Sequence, residues 1–127
     1  MITLSQEIRE QILLTIGDRV SKISLYAGSV PAGAGVITDQ VLLVELTTPR
    51  PAYTGFLDGH MIMAPTDQAM VLQSGDVTFA RLYDGSGLTL GDVSVGNAAS
   101  NADLKFGHET ASVFAGALVS LADWVIQ

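Results

Sequence analysis

The spacing of hydrophobic residues changes once along the chain, near residue 17. Before that point the apolar positions recur three and four residues apart, and polar residues such as Glu7 and Gln11 lie between them. This pattern predicts one short amphipathic helix over residues 4–16. Its apolar positions are Leu4, Ile8, Ile12, Leu13 and Ile16.

Both ends of this predicted helix carry signals in the sequence. Thr3 followed by Gln6 resembles a capping box, and Ser5 is an alternative N-cap. Gly17 supplies a residue past the last turn that tolerates positive φ. Since an isolated helix of this length is marginal in water, we expect its Ile8, Ile12 and Ile16 stripe to pack against the sheet or a neighbouring subunit.

After residue 20 the pattern has a period of two, which is typical of strands. "KISLYAG" sets Ile23 and Leu25 on one side of a strand, and "SVPAGAG" then ends it as a loop. "QVLLVELT" at 40–47 is apolar at nearly every position, so we expect a strand covered on both faces. Pro49 and Pro51 each lack an amide donor, so "TPRPAYTG" is predicted as a crossing or an edge strand.

A hairpin is predicted over residues 77–95, "VTFARLYDGSGLTLGDVSV". Val77 and Phe79 alternate with smaller residues, which places Phe79 towards the core, and "DGSG" has the residues a β-turn needs. On the returning strand the alternation slips by one residue. This slip, centred on Gly91 and Asp92, predicts a β-bulge.

Two stretches give weaker patterns. Between residues 56 and 74 the short apolar runs "MIM" and "AMVL" predict two short strands, with His60 in a loop beside "DG". The tail "ASVFAGALVSLADWVIQ" fits either a helix or a strand. Gly116 and the β-branched and aromatic residues after it favour a strand over 117–126.

Together these elements predict a mainly β fold, an antiparallel β-sandwich or barrel-like domain with one short N-terminal α-helix. A length of 127 residues fits a single domain over 1–127. We place the helix within 1–17 and the β-sandwich in 21–127.

Composition adds an expectation about assembly. Apolar residues make up 48% of the chain and charged residues 15%, where about 25% charged is ordinary. Such a surface is expected when copies of the same chain or another protein cover part of it, so we expect a homo-oligomer or a docked state. A small, well-packed monomer is the alternative.

Charge and targeting signals limit the classes of partner. The net charge is −7 and the six basic residues are scattered, so nucleic acid is not an expected partner. The start "MITLSQEIREQILL" has no basic region ahead of an apolar run, and no apolar segment approaches the length of a membrane span. We therefore predict no membrane partner and synthesis in a cytoplasm.

No complete catalytic or metal-binding motif is present. There is no cysteine, and His60 and His108 belong to no metal motif. Asp84, Asp92 and Asp103 would form a cation or acid–base site if they converged at one end of a sheet, but such residues are also ordinary in turns. We predict no catalytic residue, no metal site and no cofactor.

The glycine-rich stretches and the aromatic residues do not specify a binding site either. "GSVPAGAG" lacks the Lys and Ser/Thr of a P-loop, and "GSG" lies in the predicted hairpin turn. Tyr26, Tyr53, Tyr83 and Trp124 would suit a sugar-binding face if they lay together, although core and edge packing is the ordinary role of such residues.

The order of several motifs is similar to that of a known group of proteins. "KISLYAGSVPAGAG", "VLLVELTTPRPAYTG", "VTFARLYDGSGLTLGDVSVGNAASNADLKF" and "AGALVSLADWVI" together resemble small structural proteins of tailed bacteriophages. The likeness spans nearly the whole chain and departs from the group between 56 and 74 and in the tail. The matching positions are Leu25, Tyr26, Gly28 and Pro31, then Phe79, Ala80, Arg81, Leu82, Asp84, Gly85 and Gly87, then Val95, Gly96, Ala102, Asp103 and Leu104.

This resemblance implies a non-enzymatic virion protein, localised in the virion and made in the bacterial host cytoplasm. The role it most suggests is a capsid decoration or cement protein that binds the major capsid protein or other virion proteins. A tail, neck or baseplate accessory and a carbohydrate-binding host-attachment module are the alternatives. The residues expected to contact a partner are Ile8, Ile12, Ile16 and Trp124.

Overall fold

A computed structural model of the chain describes residues 5–57, 60–96, 104–105, 112–121 and 125–126. Within them lie one helix, α1 (Gln6–Arg19), and a 3₁₀ turn at Ala32–Ala34. The strands of the described residues are β1 (Val20–Ala27), β2 (Val41–Thr47), β3 (Tyr53–Leu57), β4 (His60–Met63), β5 (Ala69–Met70), β6 (Gly75–Asp76), β7 (Phe79–Asp84), β8 (Thr89–Gly96), β9 (Leu104–Lys105), β10 (Ser112–Val113), β11 (Leu118–Val119) and β12 (Val125–Ile126).

The helix begins at one of the two predicted N-cap residues. Ser5 is the N-cap, and its hydroxyl accepts a hydrogen bond from the backbone N–H of Ile8 at 3.3 Å. The predicted end at residue 16 is wrong, because the helix continues to Arg19 and passes directly into β1. Among the described residues, no helix has the length and apolar character needed to cross a membrane.

Gly17 has a different role from the predicted one. It lies inside α1 and is buried, and a Cβ there would approach Tyr53 Cδ1 to 2.6 Å and Met61 Sδ to 2.8 Å. Glycine therefore permits a close approach of the helix to β3 and β4, and the expected positive φ is not needed.

The face of α1 that meets the sheet also differs from the predicted stripe. Leu13 is buried and Ile16 packs against the core, whereas Ile8 and Ile12 are 43% and 49% exposed. Of the predicted stripe, only Ile16 therefore packs against the sheet. Leu13, Ile16 and Gly17 are three and four residues apart, so they form the face that lies on the sheet.

The strands form a mainly β fold with antiparallel sheets, as predicted. Eight strands pair in the order β2-β1-β7-β8-β9-β12-β4-β3. The first part of β8 pairs with β7 and its last two residues pair with β9, so β8 joins two layers. The β8–β9 pairing is parallel and the other pairings are antiparallel. Side chains from both layers, among them Ile23, Leu82 and Met61, share one core.

The strands β1 and β2 differ in how completely they are covered. Ile23 and Leu25 are buried on the predicted side of β1, and Ser24 and Tyr26 on its other side are buried too. The expectation that β2 is covered on both faces is wrong, because Glu45 is exposed and the strand lies at the end of the eight-stranded order.

The region between residues 48 and 74 largely follows the prediction. The two prolines lie in the connection before β3, which is a terminal strand of the eight-stranded order. The two short strands expected between 56 and 74 are β4 and β5. His60 begins β4 opposite Leu57, so its assignment to a loop is wrong.

The predicted hairpin is formed by β7 and β8. Phe79 is fully buried, as expected, and the turn Asp84–Gly87 ends with Gly87 at φ 89°. The predicted bulge is present one residue earlier than its expected centre: Tyr83 faces Thr89 and Leu82 faces Gly91, so Leu90 is the extra residue.

The tail is extended, but the single strand predicted over 117–126 is wrong. Its described residues form two short strands, β11 and β12, that pair with different parts of the chain. Between them Leu121 and Thr66 exchange two hydrogen bonds of 2.9 Å, through Thr66 N–H and the Thr66 hydroxyl oxygen. These two long-range hydrogen bonds lie between β11 and β12 and interrupt the predicted strand.

Candidate functional site

A buried ion pair lies at the centre of the β7–β8 hairpin. Arg81 Nε and Nη2 donate to the two carboxylate oxygens of Asp92 at 2.7 and 2.9 Å, and both side chains are 5% exposed. Such paired contacts fix the guanidinium in one orientation. The hydrogen bond with Asp92 raises the pKa of Arg81 above its usual value.

The Leu90 bulge produces this pair. Without the extra residue, Arg81 would lie opposite Gly91; with it, the register shifts by one and Arg81 lies opposite Asp92. The sequence predicts the bulge close to this position but not the ion pair. The available signal was an arginine within a strand whose neighbouring residues are apolar.

Aromatic side chains surround the ion pair on the same face of β1 and β7. The ring of Tyr26 stacks on Phe79 with centroids 5.2 Å apart, and the ammonium of Lys22 lies 4.6 Å from the Tyr83 ring centroid. Burial, followed by a hydrogen bond with Tyr83, raises the pKa of Tyr26 to about 12. Both effects favour the neutral phenol.

This group of side chains is chemically satisfied. Among the described residues, every buried side-chain nitrogen or oxygen atom has a hydrogen-bond partner. The Ser24 hydroxyl donates to Glu45 at 3.4 Å, and the same carboxylate oxygen lies 3.7 Å from Lys22 Nζ. The guanidinium is held by Asp92 within the fold, so we interpret the arrangement as a structural network that fixes the β1–β7–β8 register.

The aspartates considered for a cation site lie in separate environments. Asp84 accepts hydrogen bonds from Ser86 N–H, the Ser86 hydroxyl and Leu88 N–H at 2.8–2.9 Å, whereas Asp92 binds Arg81. The Ser86 hydroxyl is the largest cause that lowers the pKa of Asp84. Asp103 lies outside the described residues, and within them no group of three metal-binding side chains occurs.

The remaining candidates do not gather at one place in the described part of the chain. Tyr53 donates to Asp18 at 2.9 Å beside the helix, and this bond raises the pKa of Tyr53. Tyr26 and Tyr83 lie on the other layer of the fold, so the three tyrosines share no single face. His108 and Trp124 lie outside the described residues.

Of the residues predicted to contact a partner, Ile8 and Ile12 are exposed and Ile16 packs against the core. A second apolar surface lies far along the chain from them. Residues 69–70 pair with 118–119 and residues 75–76 pair with 112–113, as two short antiparallel sheets with Met70 opposite Leu118 and Gly75 opposite Val113. Between them segment 112–119 makes a turn, in which Ala117 N–H donates to the Phe114 carbonyl at 3.1 Å. We call this pair of segments, 69–76 and 112–119, the edge ribbon.

The edge ribbon is joined to the end of the large sheet. Leu43 is an extra residue in β2 relative to β1, and its carbonyl accepts a hydrogen bond from Leu72 N–H at 2.7 Å. Across the ribbon, Val71 N–H donates to the Ala117 carbonyl and Gly116 N–H to the Val71 carbonyl, each at 2.8 Å. Segment 69–76 therefore lies between β2 and segment 112–119.

The side chains of the ribbon differ in exposure. Val71 is buried and Val113 and Val119 pack against the core. Four other large apolar side chains of the ribbon are 58–69% exposed: Met70, Leu72, Phe114 and Leu118. This surface was not predicted from the sequence, because the runs "AMVL" at 69–72 and "VFAGALV" at 113–119 are apolar at nearly every position, a pattern that indicates burial on both faces.

Comparisons with family models, with curated proteins and with solved structures returned no match. The resemblance to phage structural proteins therefore rests on the sequence motifs described above.

Proposed function

We propose that this protein is a non-enzymatic structural component of a tailed-phage virion, and that its role is capsid decoration or cementing through contact with the major capsid protein. The observation that carries the proposal is the group of four exposed large apolar side chains on the edge ribbon. An isolated soluble chain gains nothing from such side chains in water, whereas a protein that functions in an assembly buries them. The order of the phage-like motifs supplies the virion context.

The physical role of a cement protein is linkage. It binds the assembled capsid lattice and not the separated subunits, so binding lowers the free energy of the assembled state by an amount that grows with affinity and copy number. The requirements are a stable scaffold and a contact surface. The satisfied Arg81–Asp92 network and the edge ribbon correspond to these two requirements.

The decisive experiment is to locate the protein in purified particles. Mass spectrometry should detect it in mature virions, and cryo-electron microscopy should place it on the head surface. Hundreds of copies support the capsid role, whereas small numbers that follow a three-, six- or twelve-fold ring support a tail, neck or baseplate accessory.

Two results contradict the proposal. The first is the absence of the protein from mature virions. The second is a catalytic turnover that a single substitution at His60, His108 or Asp92 abolishes, since a structural component has no such dependence.

A further inference from the structure

Two arginines and a serine lie beside the turn of the β7–β8 hairpin and come from other parts of the fold. Arg19 ends α1, and its Nη2 lies 3.6 Å from Asp84 Oδ2. Arg50 precedes β3, and its Nη1 is 3.3 Å from the position that a Cβ would take at Gly85. Ser21 Oγ of β1 is 3.9 Å from the same position. Three side chains with hydrogen-bond donors therefore lie around two adjacent residues of one turn.

The donors of these three side chains are not used within the described part of the chain. There, the Arg50 guanidinium and the Ser21 hydroxyl make no hydrogen bond or ion pair. The contact of Arg19 with Asp84 is longer than a charge-assisted hydrogen bond, which is about 2.7–2.9 Å. Both arginines are exposed, so a solute can reach their guanidinium groups.

The two acidic groups next to these side chains are held by donors of the fold. Asp84 Oδ1 accepts three hydrogen bonds within its own turn, at 2.8–2.9 Å. Asp18 Oδ1 accepts one from the Tyr53 hydroxyl at 2.9 Å. These donors balance part of each carboxylate charge, so the repulsion of an incoming anion is reduced. No described carboxylate lies at ion-pair distance from Arg50, and its charge supplies the main attraction.

We propose that Arg19, Ser21 and Arg50 form a binding site for a phosphate group. A phosphate carries up to two negative charges and three or more acceptor oxygens that point in different directions. Two guanidinium groups and a hydroxyl that come from three separate elements match this distribution, whereas a carboxylate accepts hydrogen bonds within one plane. The proposal is independent of the virion role, since it concerns a small anion and no contact between proteins.

The net charge of the chain limits the expected affinity. At −7 the molecule as a whole repels anions, and only two of its six basic residues lie at this site. The donors are also exposed, so each hydrogen bond to the ligand replaces one to water. We therefore expect a Kd on the order of 1 mM, which corresponds to a few charge-assisted hydrogen bonds.

The test is a titration of the full chain with inorganic phosphate, followed by nuclear magnetic resonance at constant ionic strength set with sodium chloride. The wild type should show saturable shifts of the turn amides of Gly85 and Ser86. Arg50→Gln should weaken binding at least about tenfold, since it removes the charged donor. Arg9→Gln is the matched control, because it removes the same charge from an exposed position of α1 and should leave the affinity unchanged.

Three results contradict the proposal. Shifts that do not saturate show that no site is present. Equal effects of Arg50→Gln and Arg9→Gln show a general attraction by charge. Acetate that binds as tightly as phosphate shows a carboxylate site instead. Circular dichroism shows whether each variant is folded; if Arg50→Gln misfolds, Ser21→Ala replaces it, with an expected loss of at least about threefold in affinity.

A second titration, with glycerol 3-phosphate, identifies the source of the phosphate group. An affinity similar to that of inorganic phosphate shows that the site accepts a phosphate carried by a larger molecule. Binding of inorganic phosphate alone shows a site for the free ion. Both results support the proposal, and neither depends on whether the protein is found in virions.

Discussion

Phe79 shows how a single residue links packing to register. Its side chain is fully buried, and its ring lies nearly parallel to that of Tyr26, at 11° between planes. The two residues face each other across β1 and β7. Cross-strand pairs of this kind stabilise one register against its neighbours, because a slip of one residue moves every side chain to the opposite face.

Replacing Phe79 with alanine should lower the free energy of unfolding by roughly 3–5 kcal/mol, since the buried ring leaves a cavity in a close-packed core. Chemical denaturation measures the loss. Phe114→Ala is the matched control, because it removes the same atoms from a side chain that is 69% exposed, and at low protein concentration it should change stability far less. A loss under about 1 kcal/mol for Phe79→Ala would contradict its place in the core.

Asp84 gives a prediction about pH. The hydrogen bond from the Ser86 hydroxyl is the main reason why the folded state holds the pKa of this carboxyl below its usual value. A depressed pKa contributes stability above the unfolded pKa, and that stability is lost as pH falls through the folded pKa. Asp84→Asn should therefore lower the melting temperature at pH 7, and the difference from wild type should shrink below about pH 4.

The control for this prediction is Asp39→Asn, which removes a carboxylate from an exposed loop position. Its melting temperature should follow the wild type more closely across the same pH range. A difference between Asp84→Asn and wild type that stays constant down to pH 2 would show that the carboxylate charge is not the source of the effect.

Elements whose signals are local could be predicted from the sequence. The period of the apolar residues before Gly17 specifies a helix, and "DGSG" between two strand-like runs specifies a hairpin turn. The β8 bulge is also indicated by the sequence, as a one-residue slip in the alternation of apolar residues. Each of these depends on residues that are neighbours in the chain.

Features set by distant contacts could not be predicted in the same way. The face of α1 that packs is chosen by Tyr53 and Met61, which lie far along the chain from it. The tail is divided by its bonds to Thr66, and the ion pair needs the exact bulge position. The edge ribbon was missed because apolar residues on both faces say nothing about which face remains open.

Gly17 allows α1 to approach the sheet closely, and its replacement by alanine tests this packing. Gly17→Ala improves helix propensity by up to about 1 kcal/mol, yet its Cβ would meet Tyr53 and Met61 at 2.6 and 2.8 Å. Overpacking of this kind costs about 1–3 kcal/mol, so we expect a net loss of stability. Thr15→Ala, at an exposed position of the same helix, is the control and should not destabilise by this mechanism. A more stable Gly17→Ala variant would contradict the observed packing.

At the scale of the whole molecule, one core is shared by elements from distant parts of the chain. The layer that contains β1 and β7 and the layer that contains β4 both contribute to it, and Leu13 and Ile16 of α1 pack on the same cluster. Arg19 at the end of the helix also lies 3.6 Å from Asp84 in the hairpin turn. The helix is therefore part of the folded unit, although two of its isoleucines face solvent.

Deleting residues 1–19 should consequently destabilise the entire fold. The deletion removes the side chains that cover Met61 and Tyr53, so apolar surface of the core becomes exposed to water. Thermal unfolding followed by circular dichroism should show a lower melting temperature and a broader transition. The double substitution Ile8→Ser and Ile12→Ser in the full chain is the control, because both side chains are largely outside the core and their loss should leave the transition nearly unchanged. A truncated chain with the same melting temperature as the full chain would show that the helix is dispensable for folding. A double variant as unstable as the truncated chain would show that Ile8 and Ile12 form the packing face.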